Sequence, residues 1–233
     1  MKKPYIKKYG KVSGFNIWMV DGGYIRKNLN EEFNNFGQHY RFKFIPKNEF
    51  WIDQEHGLGR EEKYYIDHML VENRLMALGK SYDKAFDRAE RIERCERRKS
   101  RSIKLKKKNS KDILFKRIHK RLLKKYSKKI EVWIVNGKLV RDNLFIEFTE
   151  GGHDRVYHFI PKNEIWIDDD LNKRELKFIL LHELHERNLI LKGWPYDSKK
   201  RSAHRISSNL EYHYRHHPKG IDKRIKQELN KIK

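Results

Sequence analysis

The sequence has little of what stabilises secreted and membrane proteins. Cysteine occurs once, as Cys95, in 233 residues, which excludes an intramolecular disulfide framework and a zinc site built from several thiolates. A lone thiol is typical of a reducing compartment, so we expect a cytoplasmic location. No run of about 18 apolar residues occurs, and the basic N-terminus MKKPYIKKYGKVSGF has no apolar stretch. We therefore expect neither a membrane span nor a signal peptide.

Apolar residues are also scarce. Hydrophobic and charged residues each make up 37% of the chain, and the mean hydropathy is −0.97. So little apolar material favours small, aromatic-rich cores over one large core. The sequence also lacks a P-loop, a GxSxG elbow and a GxGxxG turn after a strand, so it gives no support to nucleotide-dependent or serine-hydrolase chemistry.

Positive charge, in contrast, is abundant and concentrated. The formal net charge is +23, and the segment from Arg97 to Lys129 holds 17 Lys or Arg and one acid, Asp112. Such a segment attracts phosphate backbones without reading their sequence. We expect nucleic acid or another polyanion as a partner, while a solvated lysine-rich connector is the alternative interpretation.

An internal duplication organises the chain. IWMVDGGYIRKNLNEEF at 17–33 is answered by VWIVNGKLVRDNLFIEF at 132–148, and FIPKNEFWID by FIPKNEIWID. Residues 17–53 align on 132–168 at a constant offset of 115, with about half of the positions identical. Beyond one dropped residue the match continues, placing His68 on His182 and Glu72 on Glu186. The chain is therefore two copies of one module.

Each copy begins with short β-branched and aromatic runs separated by turn residues, which predict a small antiparallel β-meander. Two helices follow, the first running from about Glu61 to Leu78 or from Lys173 to Lys192 and ending at a glycine. The predicted class is α+β, in two tandem copies joined by a basic helical linker. We assign 12–98 to module 1, 99–129 to the linker, 130–215 to module 2 and 216–233 to a basic helical tail.

The linker also shows a helical pattern. Leu114, Ile118, Leu122 and Tyr126 recur every four residues between Lys and Arg, which is the pattern of a basic amphipathic helix. Such a helix would either dock on a module or lie on a polyanion.

The motif HELHE in module 2 carries the chemistry. Positions four apart share a helix face, so His182 and Glu186 point the same way, as two ligands of a divalent metal must. His204, on the next helix, is placed to be a third ligand. Glu183 follows His182 directly, where a metallohydrolase carries its general base. The alternative is that His182 is a buried histidine hydrogen-bonded to Glu186 for stability alone.

These residues carry resemblances to known families. HELHE resembles the His-Glu-x-x-His helix of zincin metallopeptidases, with Glu186 standing where the second histidine would be. The order of His, Glu, a glycine turn, Tyr-Asp and a later His also looks like the metal site of bacterial endoribonucleases that mature ribosomal RNA. These resemblances imply a metallohydrolase, either a peptidase or a ribonuclease.

The string EGGHDRVYHFIPKNEIWID, followed by LLHELHERNLILKG and a later YD and AH, is most similar to an uncharacterised family of small phage and prokaryotic proteins with a His-Glu-x-x-Glu helix. The resemblance covers each module from its first strand to its second helix, and it implies a site more than a particular reaction. On it, His182, Glu186 and His204 are candidate ligands for a divalent metal, zinc first. Glu183 is the candidate base. Candidates to contact the substrate or to hold the ligands are His153, His185 and Glu211.

The first copy has lost part of this set. Met69 replaces Glu183, Val71 replaces His185, and Phe86 takes the place of His204, while Gly37-Gln38-His39 matches Gly151-Gly152-His153 only loosely. We therefore expect one working site, in module 2, and one degenerate copy.

Two functions remain open at this point. One is a metal-dependent, zincin-like hydrolase that associates with nucleic acid through its linker. The other is a non-enzymatic nucleic-acid-binding or virion-associated structural protein. In both, the residues expected to bind nucleic acid are Arg97, Arg98, Lys99, Arg101, Lys104, Lys106, Lys107, Lys108, Lys116, Arg117, Lys120, Arg121, Lys124 and Lys125.

Overall fold

The structure is a computed structural model, and it describes residues 4–54, 61–100 and 110–232. The chain divides into two compact units. The first unit contains the first module together with Val140–Glu147, and the second contains the remainder of the second module. Each module is described by itself below.

Both modules repeat the same order of elements. The first contains β1 (Tyr5–Val12), β2 (Phe15–Val20), α1 (Gly22–Asn28), β3 (Phe36–Gln38), β4 (Glu49–Asp53), α2 (Glu62–Ala77) and α3 (Tyr82–Ser100). The second contains α4 (Ser110–Ile118), β5 (His119–Leu122), β6 (Glu131–Val135), α5 (Gly137–Asn143), β7 (Gly151–His153), β8 (Glu164–Asp168), α6 (Leu176–Leu191), α7 (Ala203–His216) and α8 (Ile221–Asn230). The predicted α+β class with two tandem modules is confirmed.

The sheets differ from the predicted meander in one respect. Their strand orders are β1-β2-β4-β3 and β5-β6-β8-β7, and the central pairs β2–β4 and β6–β8 are parallel. The cause is a short helix, α1 or α5, where a hairpin turn was expected. Asp21 caps α1 by accepting a hydrogen bond from the Tyr24 backbone N–H at 2.9 Å, so the Asp-Gly-Gly sequence begins a helix.

Strand β8, an inner strand of the second sheet, is buried along its length. In β8 all five residues are buried, and Trp166 is fully enclosed. Its neighbour in the core is α6, whose Leu180, Leu181 and Leu184 have no exposed surface. Polar groups on the buried faces of this strand and helix need hydrogen-bond partners, and this governs how the polar residues of α6 are arranged.

The predicted helix of the linker is only half helical. α4 ends at Ile118, and the next residues form β5, which pairs antiparallel with β6. The ladder between His119 and Val135 satisfies backbone groups that a continued helix would have satisfied internally. Leu114 and Ile118 are buried, as the pattern indicated. The linker residues 101–109 lie outside the described part of the chain.

The two long helices end where the sequence places them. Gly79 and Gly193 have φ values of +81° and +82°, a left-handed conformation that glycine adopts without steric cost. Among the described residues, every helix is too short or too polar to cross a membrane.

Candidate metal centre

Three elements of the second module converge on one polar cluster. α6 contributes His182, Glu183 and Glu186, all buried. The edge strand β7 contributes His153, which has no exposed surface. α7 packs on α6 and brings His204 to the same place, with its side chain 48% exposed. The cluster is thus buried on the sheet side and open to solvent on the α7 side.

Three ligand atoms face one another in this cluster. Glu186 Oε1 lies 2.9 Å from His204 Nδ1 and 3.4 Å from His182 Nε2. Each of the three residues offers an atom within 4.8 Å of the other two. Two imidazole nitrogens and a carboxylate oxygen are the donor set of many catalytic zinc sites. The sequence-predicted ligands are therefore brought together.

The second ring nitrogen of His182, Nδ1, is hydrogen-bonded to a carboxylate of the neighbouring helix. His182 Nδ1 lies 2.9 Å from Glu211 Oε2 on α7. Arg215 Nε donates to Glu211 Oε1 at 2.8 Å, and the Arg215 guanidinium also pairs with Glu175. A carboxylate on one imidazole nitrogen keeps the proton there and directs the other nitrogen toward a ligand position. Glu211, a predicted candidate, thus orients His182.

The hydrogen bonds of His153 place the proton on the nitrogen that faces Glu186. Its Nδ1 accepts the backbone N–H of Arg155 at 3.1 Å, so in the neutral ring the proton sits on Nε2. His153 Nε2 lies 3.0 Å from Glu186 Oε2 and donates to it. A nitrogen that carries a proton cannot bind a metal. In this tautomer His153 therefore holds Glu186, although its ligand atoms also lie close to those of Glu183 and Glu186.

The electrostatics of the cluster couple its acids and histidines. Burial, followed by the charge of Glu186, raises the pKa of Glu183 to about 8. Burial opposes ionisation of Glu186 as well, but hydrogen bonds from His153, His182 and His204 lower its pKa well below the usual range. Burial also opposes protonation of His182, yet Glu186 and Glu211 raise its pKa well above the ordinary value. The metal-free cluster thus holds a proton that a bound cation would displace.

Glu183 is accommodated by a glycine in the neighbouring strand. A Cβ atom added to Gly151 would lie 3.3 Å from Glu183 Cγ and 2.9 Å from a methyl group of Ile179. The absence of a side chain in β7 at this point leaves the space in which the Glu183 carboxylate lies. A carboxylate oxygen of Glu183 lies within 4.8 Å of an imidazole nitrogen of His153 and of a carboxylate oxygen of Glu186.

His185 does not take part. Its Nδ1 lies 3.1 Å from Oε1 of Glu228 on α8, whereas His182 contacts Glu211 on α7. Glu228 also accepts hydrogen bonds from Asn188 and Lys231. The interpretation of His185 as a residue of the site is therefore not supported by its position. It fastens α8 to the module.

The predicted nucleic-acid-binding residues fall into three groups. Arg97 is buried, with 1% of its side chain exposed, and pairs with Glu61, Glu93 and Asp142 of the same unit. The exposed ones are Arg98, Lys99, Lys116, Arg117, Lys120, Arg121, Lys124 and Lys125. Those outside the described residues are Arg101, Lys104, Lys106, Lys107 and Lys108. Arg97 is thus a structural residue, because its charge is enclosed and already neutralised.

The first module contains the same supporting network without the ligand set. His68 Nδ1 lies 2.8 Å from Glu93 Oε2, and Arg97 Nε donates to Glu93 Oε1 at 2.7 Å and also pairs with Glu61. Gln38 donates to Glu72, as His153 does to Glu186. His39, which lies in the segment that loosely matches Gly151-Gly152-His153, instead contacts the Ile45 carbonyl.

Apolar rings fill the place of the missing ligands. The ring of Phe86 lies 5.3 Å from that of His68, matching the 5.1 Å between His204 and His182. Phe36, which corresponds to Gly151, lies 5.2 Å from His68 on another side. Met69 is fully buried where Glu183 stands in the second module. The described contacts of the first module therefore form a closed, largely apolar version of the cluster.

Sequence reasoning missed the outer part of both networks. Arg97 was predicted to bind nucleic acid, and no role was predicted for Glu93, Glu175 or Arg215. A signal was present, since Glu93 and Arg97 align with Glu211 and Arg215 at a common offset. It was hidden because the second helix of module 2 follows a longer loop, which shifts the offset.

The chain matches no protein-family profile, no curated protein sequence and no solved structure. The duplicated module is therefore the comparison on which the interpretation of the site depends.

We predict that the first unit loses stability in alkaline solution because of His68. Burial lowers the pKa of His68, but Glu72 and Glu93 outweigh it and raise the pKa to about 9. A raised pKa stabilises the fold fully below the unfolded value of about 6.5, and this stabilisation is lost as pH rises through about 9. The loss is expected to be about 3 kcal/mol.

NMR titration of the His68 ring should give a midpoint of about 9, well above the ordinary histidine value. Denaturant unfolding of the His68→Gln variant should lack the alkaline loss, whereas His158→Gln should retain it. A His68 midpoint near 6.5 would contradict the prediction.

Proposed function

We propose that the protein is a metal-dependent hydrolase with a single site in its second module. One divalent ion, zinc first among the candidates, is bound by His182 Nε2, Glu186 Oε1 and His204 Nδ1. Glu183 serves as the general base. The first module is a degenerate copy that contributes stability.

The difference between the two modules is the observation that carries this proposal. Both contain the buried His, Glu and Arg network, so that network serves the fold. The second module adds Glu183, His204 and His153 to it, and a glycine that makes room for Glu183. These additions surround the same carboxylate, Glu186. A network needed only for stability would not require them, since the first module folds with Met, Phe and Gln instead.

The donor set fits a catalytic ion better than a structural one. Structural zinc sites use four protein ligands and are closed, whereas catalytic sites use three and leave a position open. Here three donors converge, and His204 lies at the exposed side of the cluster. Glu211 and His153 hold the two buried ligands in place. No thiolate is involved, which suits a chain with one cysteine.

In the proposed hydrolysis, each group around the ion has a separate role. A divalent ion, when bound, supplies the Lewis acidity that lowers the pKa of a coordinated water. The Glu183 carboxylate accepts a proton from the attacking water and then donates it to the leaving group. A nearby cation favours the ionised form of Glu183 that this role requires. The buried Glu211–Arg215 pair keeps the His182 ring from turning.

We predict that the full-length protein, purified without chelator, carries about one divalent ion per chain, and that the His204→Phe variant loses it. Phenylalanine is the residue that the first module uses at this position, so the variant should fold. Elemental analysis by mass spectrometry gives the stoichiometry, and circular dichroism checks the fold.

The matched control is His185→Val, which also introduces the residue of the first module but replaces a histidine that contacts Glu228 on α8. It should keep the ion. If the wild-type protein holds no stoichiometric zinc, manganese or iron after reconstitution, the metal site does not exist. Loss of the ion in both variants would mean that folding, and not ligation, was disturbed.

We predict that Glu183→Gln retains the metal and loses activity by roughly 100-fold or more, because the amide cannot accept the proton. Cleavage is measured on a labelled single-stranded RNA and on a fluorogenic peptide mixture, which represent the two substrate classes left open by the sequence. Activity in Glu183→Gln equal to that of wild type would remove Glu183 from the mechanism. Cleavage of neither probe by the metal-loaded wild type would favour the non-enzymatic alternative.

We further propose that the basic segment brings the protein to nucleic acid or another polyanion. Lys116, Arg117, Arg121 and Lys124 are exposed, and no carboxylate pairs with them within the described part of the chain. Lys120 and Lys125 are exposed but pair with Asp169 and Asp222. Unpaired cations release counterions from phosphates when they bind, so they contribute most to affinity.

We predict that replacing Lys116, Arg117, Arg121 and Lys124 together by serine reduces the salt dependence of duplex DNA binding. Each lost phosphate contact lowers the slope of log K against log salt by about 0.9, so a reduction of about 3 to 4 is expected. Fluorescence anisotropy at several salt concentrations measures it. An unchanged slope would assign the binding to other residues.

A further inference from the structure

The loop that connects α6 to α7 differs between the modules. In the first module, Tyr82, Asp83, Lys84 and Ala85 lead directly to Phe86, all within α3. In the second, Tyr196-Asp197 is followed by SKKRSA before His204, which is four residues longer. Helix α7 begins only at Ala203, after its cap Ser202. The inserted residues include Lys199, Lys200 and Arg201.

The insertion places positive charge beside the candidate site. Between Lys192 and Arg205 the sequence has five Lys or Arg and one acid, Asp197. All five cationic residues are exposed, and in the described residues none of them forms an ion pair with a carboxylate. Arg201 lies instead over the ring of Trp194, at 4.1 Å from its centroid. This charge is therefore available to a ligand.

An aromatic ring lies between this loop and the cluster. Tyr196 is 44% exposed, and its ring centroid is 5.2 Å from that of His204. Tyr82 stands in the same relation to Phe86, at 5.7 Å, so the insertion leaves the position of the tyrosine unchanged. An exposed ring next to unpaired cations is the combination with which proteins bind single-stranded nucleic acids, whose bases stack while their phosphates are neutralised.

We infer that this segment, residues 192–205, which comprises the loop and the first residues of α7, binds single-stranded nucleic acid, with a base on Tyr196 and phosphates on Lys199, Lys200 and Arg201. The binding is a property of the loop alone. Its meaning for catalysis rests on the proposed function, because it would place a phosphodiester beside His204. The substrate of the hydrolase would then be a nucleic acid strand, and the reaction would be the addition of water across a P–O bond.

A peptide fits the same surface less well. An acidic peptide would satisfy the cations, but its side chains offer no regular succession of flat rings for Tyr196. Duplex nucleic acid satisfies the cations too, but its bases are already stacked. Single strands alone use both features. This difference separates the three ligands experimentally.

The test measures binding of a fluorescein-labelled oligouridylate to the full-length protein in the presence of EDTA. Binding is followed by anisotropy between ~50 and ~200 mM salt. Two triple variants that lose the same charge are compared. The loop variant combines Lys199→Ser, Lys200→Ser and Arg201→Ser. The control variant combines Lys80→Ser, Lys84→Ser and Arg88→Ser in the first module. The loop variant should lower the salt slope by about 2, at ~0.7 per phosphate for single strands. The control should leave the slope nearly unchanged.

Stacking is tested by Tyr196→Ala against Tyr82→Ala. Loss of one stacked base should weaken binding of the single strand by roughly 5- to 100-fold in Tyr196→Ala only, and binding of a duplex by much less. Equal effects of the two charge variants, or of the two tyrosine variants, would overturn the inference. The inference would also be overturned if polyglutamate displaced the labelled strand as well as unlabelled oligouridylate of the same charge does.

The use of EDTA separates this inference from the proposed function. Binding that requires the loop but survives without metal supports the inference even if elemental analysis finds no ion. Binding that ignores the loop overturns it even if the ion is present and Glu183 proves essential.

Discussion

The buried chain of His, Glu, Arg and Glu side chains is the constraint on which the rest of each module depends. A buried imidazole beside a buried carboxylate is tolerated only if every charge has a partner. His182 therefore requires Glu211, Glu211 requires Arg215, and Arg215 requires Glu175. This chain fixes α7 against α6, since it runs from His182 on α6 to Glu211 and Arg215 on α7 and returns to Glu175, the N-cap residue of α6. The orientation of the candidate ligands follows from it.

The duplication shows what such a network permits. The first module keeps the chain, through His68 and Glu93, and closes the space above it with phenylalanine rings. The second module keeps the chain and lines the same space with ionisable groups, at the cost of a buried Glu183 whose pKa is raised to about 8. Buried groups with displaced pKa values, gathered beside an opening to solvent, are typical of functional sites. In the proposed function, the structural and the functional roles are carried by different residues of one cluster.

Much of this arrangement was predictable from local patterns. The internal repeat predicted the two modules, and the apolar run around HELHE predicted α6. The glycine after each long helix predicted where that helix ends. The grouping of the candidate ligands His182, Glu186 and His204 also followed from helical spacing and from the order of elements. Other features were not predictable, because they depend on contacts between distant segments. The parallel pairing of β2 with β4, the end of α4 at Ile118, and the burial of Arg97 belong to this group.

The sequence by itself determined that the chain is a tandem α+β repeat with a concentrated positive charge and a His-Glu-x-x-Glu helix in one copy. These properties are local or periodic, so they survive without knowledge of the fold. Only the tertiary structure decided the roles within the cluster. His153 holds Glu186 because a backbone N–H occupies its other nitrogen, and His185 faces Glu228 because α8 packs on that side. Two histidines in neighbouring motifs have different roles because the direction of a hydrogen bond is set by what packs against the ring.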